Sequence, residues 1–230
     1  KYYTEYVVRG AFAHTGECIE CGMPRNDELV NNHDSKMSDY IHKYYGIPKE
    51  HKIILYAPTY RKGKRNEATD YNLDVRGIAE AAKKRFGGDW TILYRMHYFI
   101  KKRLPADCNG QNIVDVTDYY DMQDLLLAAD ILITDYSSSV WDYSLLKRPC
   151  FLYTTDLDEY LENQGFYVDV RDWPFPLAKD NEALVDNIIH FDEEDYLKAV
   201  HKHHTDLGSF DHGTATKTLA DRIHKECFGA

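Results

Sequence analysis

The sequence predicts an α/β fold, a Rossmann-like doubly wound parallel sheet followed by a helical C-terminal tail. Short runs rich in Ile, Leu and Val alternate with segments of helical periodicity, which is the pattern of parallel strands covered by helices on both faces. After residue 180 the strand-like runs stop and helical periodicity remains. Polar clusters directly follow three of the strand-like runs, at the edge where parallel α/β sheets bind their ligands.

The segment before the sheet is the hardest to interpret. Residues 6–8 predict a short strand, and residues 16–22 predict a loop. Asn26 or Asp27 is the expected N-cap of a short helix. A second helix is expected over residues 36–45, because a glycine and a proline follow it closely.

Five strand-like runs and their connections predict the sheet itself. The predicted strands cover residues 52–57, 90–95, 112–116, 130–134 and 150–153. The predicted helices cover residues 75–86, 121–129, 138–147, 182–190, 193–206 and 214–227. A polar loop is expected at 60–73, whereas residues 98–104 fit either a helix or a loop. We therefore divide the chain into an N-terminal connecting segment, 1–22, and a Rossmann-like nucleotide-binding domain, 23–230.

Composition argues against several classes of protein. The chain has 230 residues, enough for one large domain or two small ones, and its 43% hydrophobic content predicts a sizeable core. Its formal net charge of −10 disfavours a nucleic-acid binder. No strand is followed by GxGxxG and there is no P-loop, so the common NAD enzymes and P-loop NTPases are disfavoured. Because the chain begins with Lys1 rather than Met, we expect it to be part of a longer protein.

Several smaller features do not point to a site. Cys18 and Cys21 form a close pair, but no second pair completes a zinc site, and the scattered thiols fit a reducing compartment. The basic clusters at 61–65 and 101–103 are either local anion-binding patches or solvated segments. Three histidines near the end of the chain cannot all share one helix face, so we interpret them as solvated: His201, His203 and His204.

The three polar clusters would meet at one edge of the sheet. The first strand runs into Pro58 and Thr59, the second into Arg95, Met96 and His97, and the fourth into a run of serines. A guanidinium group forms paired hydrogen bonds to phosphate oxygens, and an imidazolium neutralises charge or donates a proton. The pattern predicts a crevice for an anionic, nucleotide-bearing ligand.

Each candidate also has a structural explanation. Ser137 and Ser138 either bind an anion at the start of a helix or cap that helix. Asp142, in the first turn of the same helix, either stabilises the helix dipole or accepts hydrogen bonds from ligand hydroxyls. His97 is either a structural histidine or a proton donor, and Arg25 also fits a surface salt bridge. The residues alone leave these alternatives open.

An ordered set of motifs resembles the CDP-glycerol glycerophosphotransferases, the teichoic-acid polymerases and primases of Gram-positive bacteria. The motifs are Gly22-Met23-Pro24-Arg25-Asn26-Asp27, Tyr56-Ala57-Pro58-Thr59-Tyr60-Arg61, Arg95-Met96-His97 and Thr134-Asp135-Tyr136-Ser137-Ser138. Two further matches are Arg148-Pro149 followed by Tyr153, and Gly208-Ser209-Phe210-Asp211-His212-Gly213. The resemblance covers residues 20 to 227.

The resemblance implies the C-terminal, donor-binding half of a B-type glycosyltransferase fold. It implies transfer of glycerol phosphate, or another polyol phosphate, from CDP-glycerol or CDP-ribitol to a lipid-linked polyol-phosphate acceptor in teichoic-acid biosynthesis. The expected location is cytoplasmic and peripheral, at the inner face of the cell membrane. No cofactor is expected, and a need for metal is left open. The residues that it implies around the donor are Arg25, Pro58, Thr59, Arg95, Met96, His97, Ser137, Ser138 and Asp142. Of these, Arg95 and His97 are the expected catalytic residues, acting on the diphosphate.

One feature of the family has no counterpart in this sequence. The presumed general base is a histidine in a His-Gly loop of the N-terminal half, and His14-Thr15-Gly16 does not match that motif. We therefore expect a missing N-terminal domain to complete the enzyme, and the isolated chain to bind donor yet transfer poorly. Two alternatives are the donor domain of a nucleotide-sugar glycosyltransferase and a non-catalytic nucleotide-binding module.

Overall fold

The structure, a computed structural model, describes residues 1–32, 34–60, 73–96, 112–163 and 165–229. Its strands are β1 (His51–Tyr56), β2 (Asp89–Tyr94), β3 (Ile113–Asp115), β4 (Ile131–Thr134), β5 (Cys150–Tyr153) and β6 (Leu177–Ala178). They form one sheet in the order β3-β2-β1-β4-β5-β6, and every neighbouring pair is parallel. The predicted doubly wound α/β fold is therefore confirmed.

Helices cover the sheet and form the C-terminal tail. They are α1 (Asp27–Asn31), α2 (Lys36–Tyr45), α3 (Val75–Phe86), α4 (Met122–Ala128), α5 (Ser139–Ser144), α6 (Leu157–Asn163), α7 (Asn181–Ile189), α8 (Glu193–Leu207) and α9 (Ala215–Phe228). A π-helix covers Tyr3–Ala11, and 3₁₀ turns cover Pro24–Asn26 and Val170–Asp172. Ile53, Ile54 and Leu55 of β1 are all fully buried, which requires helices on both faces of the sheet.

The order of the strands determines where a ligand can bind. The sheet grows outward in one direction from β1 to β2 and β3, and in the other from β4 to β5 and β6. The order therefore reverses between β1 and β4, and ligands of open α/β sheets bind beyond the carboxyl ends of the strands at such a point. Tyr56 of β1 is in register with Tyr94 of β2 and Ile133 of β4, so these three strands end at one edge.

Two parts of the sequence-based prediction differ from the structure. The strand predicted for residues 6–8 is wrong, because they lie within the helix Tyr3–Ala11, where the rings of Tyr2 and Tyr6 stack 4.2 Å apart. That contact joins positions four apart, which an extended strand holds far from each other. The sequence also missed α6 and β6, since β6 has two residues and shows no alternation.

Two predictions concern residues outside the described ranges. They are most of the polar loop at 60–73 and the helix or loop at 98–104. Within the described ranges, no helix has both the length and the apolar character needed to cross a bilayer. The division of the chain at residue 23 stays a prediction.

Candidate functional site

Hydrogen bonds join the ends of three strands into one edge. Arg95 N, just after β2, donates to Tyr56 O at the end of β1 at 2.9 Å. Thr59 N, just after β1, donates to both carboxylate oxygens of Asp135, at 2.9 and 3.0 Å. Asp135 follows β4, so its carboxylate links the loops on either side of the point where the strand order reverses. The predicted loops therefore do lie side by side.

Two of the predicted ligand contacts have buried side chains in this structure. Met96 is 3% exposed, and its backbone N–H donates to Thr117 Oγ1 at 3.0 Å. Pro58 is also buried.

The serine run forms a small network of its own. Ser137 Oγ accepts hydrogen bonds from Ser139 N at 3.3 Å and from Ser139 Oγ at 2.8 Å. Ser138 is exposed at the N-cap position of α5, and its side chain makes no capping hydrogen bond. The interpretation of Ser138 as a side-chain N-cap is therefore wrong.

The guanidinium group of Arg95 lies half-buried at this edge. Burial lowers the pKa of Arg95, while the nearby Asp121 carboxylate and the Tyr45 hydroxyl oppose that shift. An arginine stays protonated despite such a shift. Its Nη1 is buried and has no hydrogen-bond partner within the described residues. A buried cationic donor without a partner is stabilised by an anionic ligand.

A second arginine is held by an ion pair between distant parts of the chain. Arg25 Nε donates to Asp142 Oδ2 at 2.9 Å, and Arg25 Nη2 donates to Oδ1 at 3.1 Å. Gln123 Nε2 donates to the same Oδ2 at 3.2 Å. The sequence left Arg25 open between a ligand contact and a surface salt bridge, and the structure pairs it with Asp142, which was itself a candidate ligand contact.

The first turn of α4 connects the two arginines. Asp121 is the N-cap of α4 and accepts a hydrogen bond from Gln123 N at 2.8 Å. The charge of Asp121 raises the pKa of Arg95. Gln123 donates a hydrogen bond to Asp142, the residue that pairs with Arg25. Neither Asp121 nor Gln123 was among the site residues predicted from the sequence. Asp121 has an N-cap signal, but nothing in the sequence links Gln123 to a residue 19 positions later.

Arg25 itself stands on a unit built from both ends of the chain. Asp211 Oδ1 accepts hydrogen bonds from Met23 N at 2.9 Å and from Asn26 Nδ2 at 3.1 Å. Gly22 has φ +84°, and a Cβ there would lie 2.8 Å from Phe210 O. The close approach requires glycine at this position. The motifs at 22–27 and 208–213 therefore hold each other in place.

Several predicted features lie away from this edge or in residues that the structure does not describe. His97 and the basic clusters at 61–65 and 101–103 fall outside the described residues. In the described part of the chain, no group of three or more His, Cys, Asp or Glu side chains is placed to hold a metal ion. The solvated interpretation of the C-terminal histidines is wrong for two of them, because His203 stacks on Trp141 and His204 contacts Ser144.

The parallel sheet and its strand order place the chain among Rossmann-like α/β domains. The sequence profile described as CDP-Glycerol:Poly(glycerophosphate) glycerophosphotransferase matches residues 1–225. The chain belongs to this family.

Curated relatives bear names that agree with the family. The teichoic acid poly(glycerol phosphate) polymerase of Staphylococcus epidermidis is 35% identical over 98% of this chain and 32% of that protein. The teichoic acid glycerol-phosphate transferase of Staphylococcus aureus is 34% identical over 97% of this chain and 58% of that protein. The teichoic acid ribitol-phosphate primase of Bacillus spizizenii is 31% identical over 90% of this chain and 53% of that protein.

A solved structure agrees with both the fold and the family. The wall teichoic acid polymerase TagF superposes with a TM-score of 0.81 at 34% identity, over 98% of this chain and 56% of that chain. This chain therefore spans between about a third and just over half of the proteins that it resembles.

Proposed function

We propose that this chain is the donor-binding part of a transferase that moves a polyol phosphate from a CDP-activated donor to a teichoic-acid-type acceptor. The observation that carries the proposal is the family match over residues 1–225. Relatives named for glycerol phosphate and for ribitol phosphate both match, so the donor is CDP-glycerol or CDP-ribitol. CDP-glycerol is the first choice, because relatives named for glycerol phosphate are the most similar of these.

The geometry of the strand edge supports binding of a diphosphate. Arg95 supplies a half-buried cation with an N–H that has no partner among the described residues, and Arg25 supplies a second, half-exposed cation. The exposed hydroxyl of Ser138 lies at the start of α5, after the strand end that Asp135 joins to Thr59. In our proposal Arg95, His97 and the serines contact the diphosphate, and the segment Pro58–Thr59 lies nearer the nucleoside.

The proposed reaction is a substitution at the β-phosphorus of the donor. An acceptor hydroxyl oxygen forms a new bond to that phosphorus, and the bond to the oxygen shared with CMP breaks. CMP leaves with the electron pair, and the hydroxyl proton passes to a base that we place in an N-terminal domain. Catalysis of such a transfer depends on positioning and on stabilising negative charge. Arg95 and His97 would stabilise the departing CMP.

We also propose an acceptor and a location for the whole protein. We infer a lipid-linked polyol-phosphate acceptor and a peripheral position at the inner face of the cell membrane. Relatives named as teichoic acid poly(glycerol phosphate) polymerases support an acceptor of the polyol-phosphate class.

A ligand titration tests the choice of donor. We expect calorimetry on the chain to show binding of CDP-glycerol or CDP-ribitol, and weaker binding of UDP-sugars. Preferential binding of a UDP-sugar would instead favour a glycosyltransferase. Failure to bind any cytidine nucleotide would defeat the proposal and favour a non-catalytic module.

Substitution of the two expected catalytic residues tests the reaction. In the full-length enzyme, Arg95→Ala and His97→Ala should each lower turnover by about 10²–10³-fold, because each removes charge stabilisation from the leaving group. Arg76→Ala is the control, since Arg76 pairs with Glu80 on the exposed face of α3. Near-wild-type turnover in both variants would contradict the assignment.

A further inference from the structure

The ion pair between Arg25 and Asp142 is buried from one side only. The Arg25 side chain is 48% exposed, whereas the Asp142 side chain is 9% exposed. The carboxylate therefore lies on the inner side of the pair, where α5 carries it and Gln123 of α4 contacts it. The guanidinium group forms the outer surface of the pair.

Asp142 uses part of the hydrogen-bonding capacity of Arg25. A guanidinium group has five N–H donors in a fixed plane, and Asp142 accepts from two of them. Because the contact joins two nitrogens to two oxygens, it fixes the plane of the guanidinium group as well as its position. The remaining donors of Arg25 are not used by Asp142.

Gln123 acts on the other member of the pair. Its Nε2 donates to Oδ2 of Asp142 at 3.2 Å, from a different helix. A buried carboxylate bound by donors from two directions has little freedom to rotate. The order of contacts is therefore Gln123 on α4, Asp142 on α5 and Arg25 on the 3₁₀ turn Pro24–Asn26.

We propose that Gln123 and Asp142 are positioning residues that hold Arg25 as a fixed cation for the phosphate groups of the donor. The inference rests on the proposed function, since it assigns a task within the same site. It also assigns Asp142 a role through Arg25, in place of direct contact with ligand hydroxyls. The purely structural alternative is that Arg25 and Gln123 do no more than satisfy a buried carboxylate.

A double-mutant cycle on ligand affinity separates these roles. Wild type, Gln123→Ala, Arg25→Ala and the double variant are titrated by calorimetry with CDP-glycerol, CDP and cytidine. We expect Gln123→Ala to weaken the binding of CDP-glycerol and of CDP by about three- to tenfold, since it loosens the guanidinium group of Arg25. In the Arg25→Ala background the same change should alter affinity by less than about twofold, because its target is gone.

Cytidine separates a loss of phosphate binding from general damage to the site. It carries no phosphate, so its affinity should be equal in wild type, Gln123→Ala and Asp142→Asn. Asp142→Asn keeps the shape of the side chain and removes its charge. It should weaken the binding of CDP and of CDP-glycerol. Equal losses for cytidine and CDP would overturn the inference, as would equal losses from Gln123→Ala in both backgrounds.

Two controls make the outcomes distinct. Arg222→Ala removes another two-point arginine pair, to Glu17, and should leave all three affinities unchanged. Circular dichroism identifies the temperature range in which every variant is folded, and titrations are made there. If wild type binds no cytidine nucleotide, the proposed function and this inference both fail. If wild type binds CDP-glycerol and the cycle shows no coupling, the inference alone fails.

Discussion

His203 and His204 are neighbours in α8, and both attach this helix to α5. The His203 ring stacks on Trp141 with 4.8 Å between ring centroids, and His204 Nε2 lies 2.7 Å from Ser144 Oγ. Burial lowers the pKa of both imidazoles, and for His204 the charge of Asp211 opposes that shift. Both rings are therefore neutral near pH 7, and their burial opposes protonation.

Mild acid should weaken the fold through these histidines. An imidazole whose pKa is lowered in the folded state stabilises the protein fully above its unfolded pKa of about 6.5. That stabilisation is lost as the pH falls through the folded value. We expect the urea midpoint to fall between pH 7 and pH 5, and to fall less in His203→Phe, which keeps the stacking and cannot titrate.

The exposed neighbour His201 is the matched control for this experiment. His201→Phe should show nearly the same fall in urea midpoint as wild type, since His201 is exposed and its charge is the smallest influence on His204. An equal pH dependence in wild type and His203→Phe would show that His203 is not the group responsible.

At the scale of single elements, α9 begins with a cap from a distant part of the chain. Asp27 Oδ1 accepts from Ala215 N at 2.9 Å, and Oδ2 accepts from Thr216 N at 2.6 Å. Thr214, at the N-cap position itself, makes no side-chain capping bond. The sequence suggested Asp27 as an N-cap, and the helix that it caps is α9 rather than α1.

Removing this cap should destabilise the attachment of α9. Asp27→Ala leaves two backbone N–H groups without partners, and we expect the melting temperature to fall by about 2–4 °C. Asp221→Ala is the control, because Asp221 pairs with Lys217 on the surface of the same helix. Differential scanning calorimetry compares the two variants, and equal melting temperatures would contradict the capping role.

At the scale of the whole molecule, β1 lies in the middle of the sheet. It pairs with β2 on one side and β4 on the other, and Ile54 is in register with Ile92 and Ile131. Ile54 is 0% exposed. The strand that borders the ligand edge is thus also buried along its last four residues, which favours a rigid edge.

Truncating Ile54 should destabilise the protein strongly, because this residue lies in the middle of the sheet. Ile54→Ala should lower the free energy of unfolding by about 2–5 kcal/mol, through lost apolar contact and the cavity left behind. Ile223→Ala on α9 should change it by less than about 0.5 kcal/mol, since Ile223 is 60% exposed. Urea unfolding measures both. Similar losses in the two variants would mean that β1 is not the core of the sheet.

Local patterns predicted most of the fold because they arise from neighbouring residues. The run Ile131–Thr134 was recognised as a strand and Val75–Phe86 as a helix, since each shows its period within a few residues. The two-residue strand β6 and the helix Tyr3–Ala11 escaped prediction. Their formation depends on partners such as β5 and the Tyr2–Tyr6 stack, which a short pattern does not contain.

The amino-acid sequence by itself determined the parallel α/β class, the polar strand ends and the presence of Arg25, Arg95 and Asp142 among the candidates. Hydrophobic periodicity and the polarity of strand ends are properties of adjacent residues, so they are visible without coordinates. The tertiary structure alone decided that Arg25 pairs with Asp142, that Gln123 joins them and that Asp27 caps α9. Those contacts span 19 to 188 positions of the chain, and the folded packing of separate helices brings them within hydrogen-bonding distance.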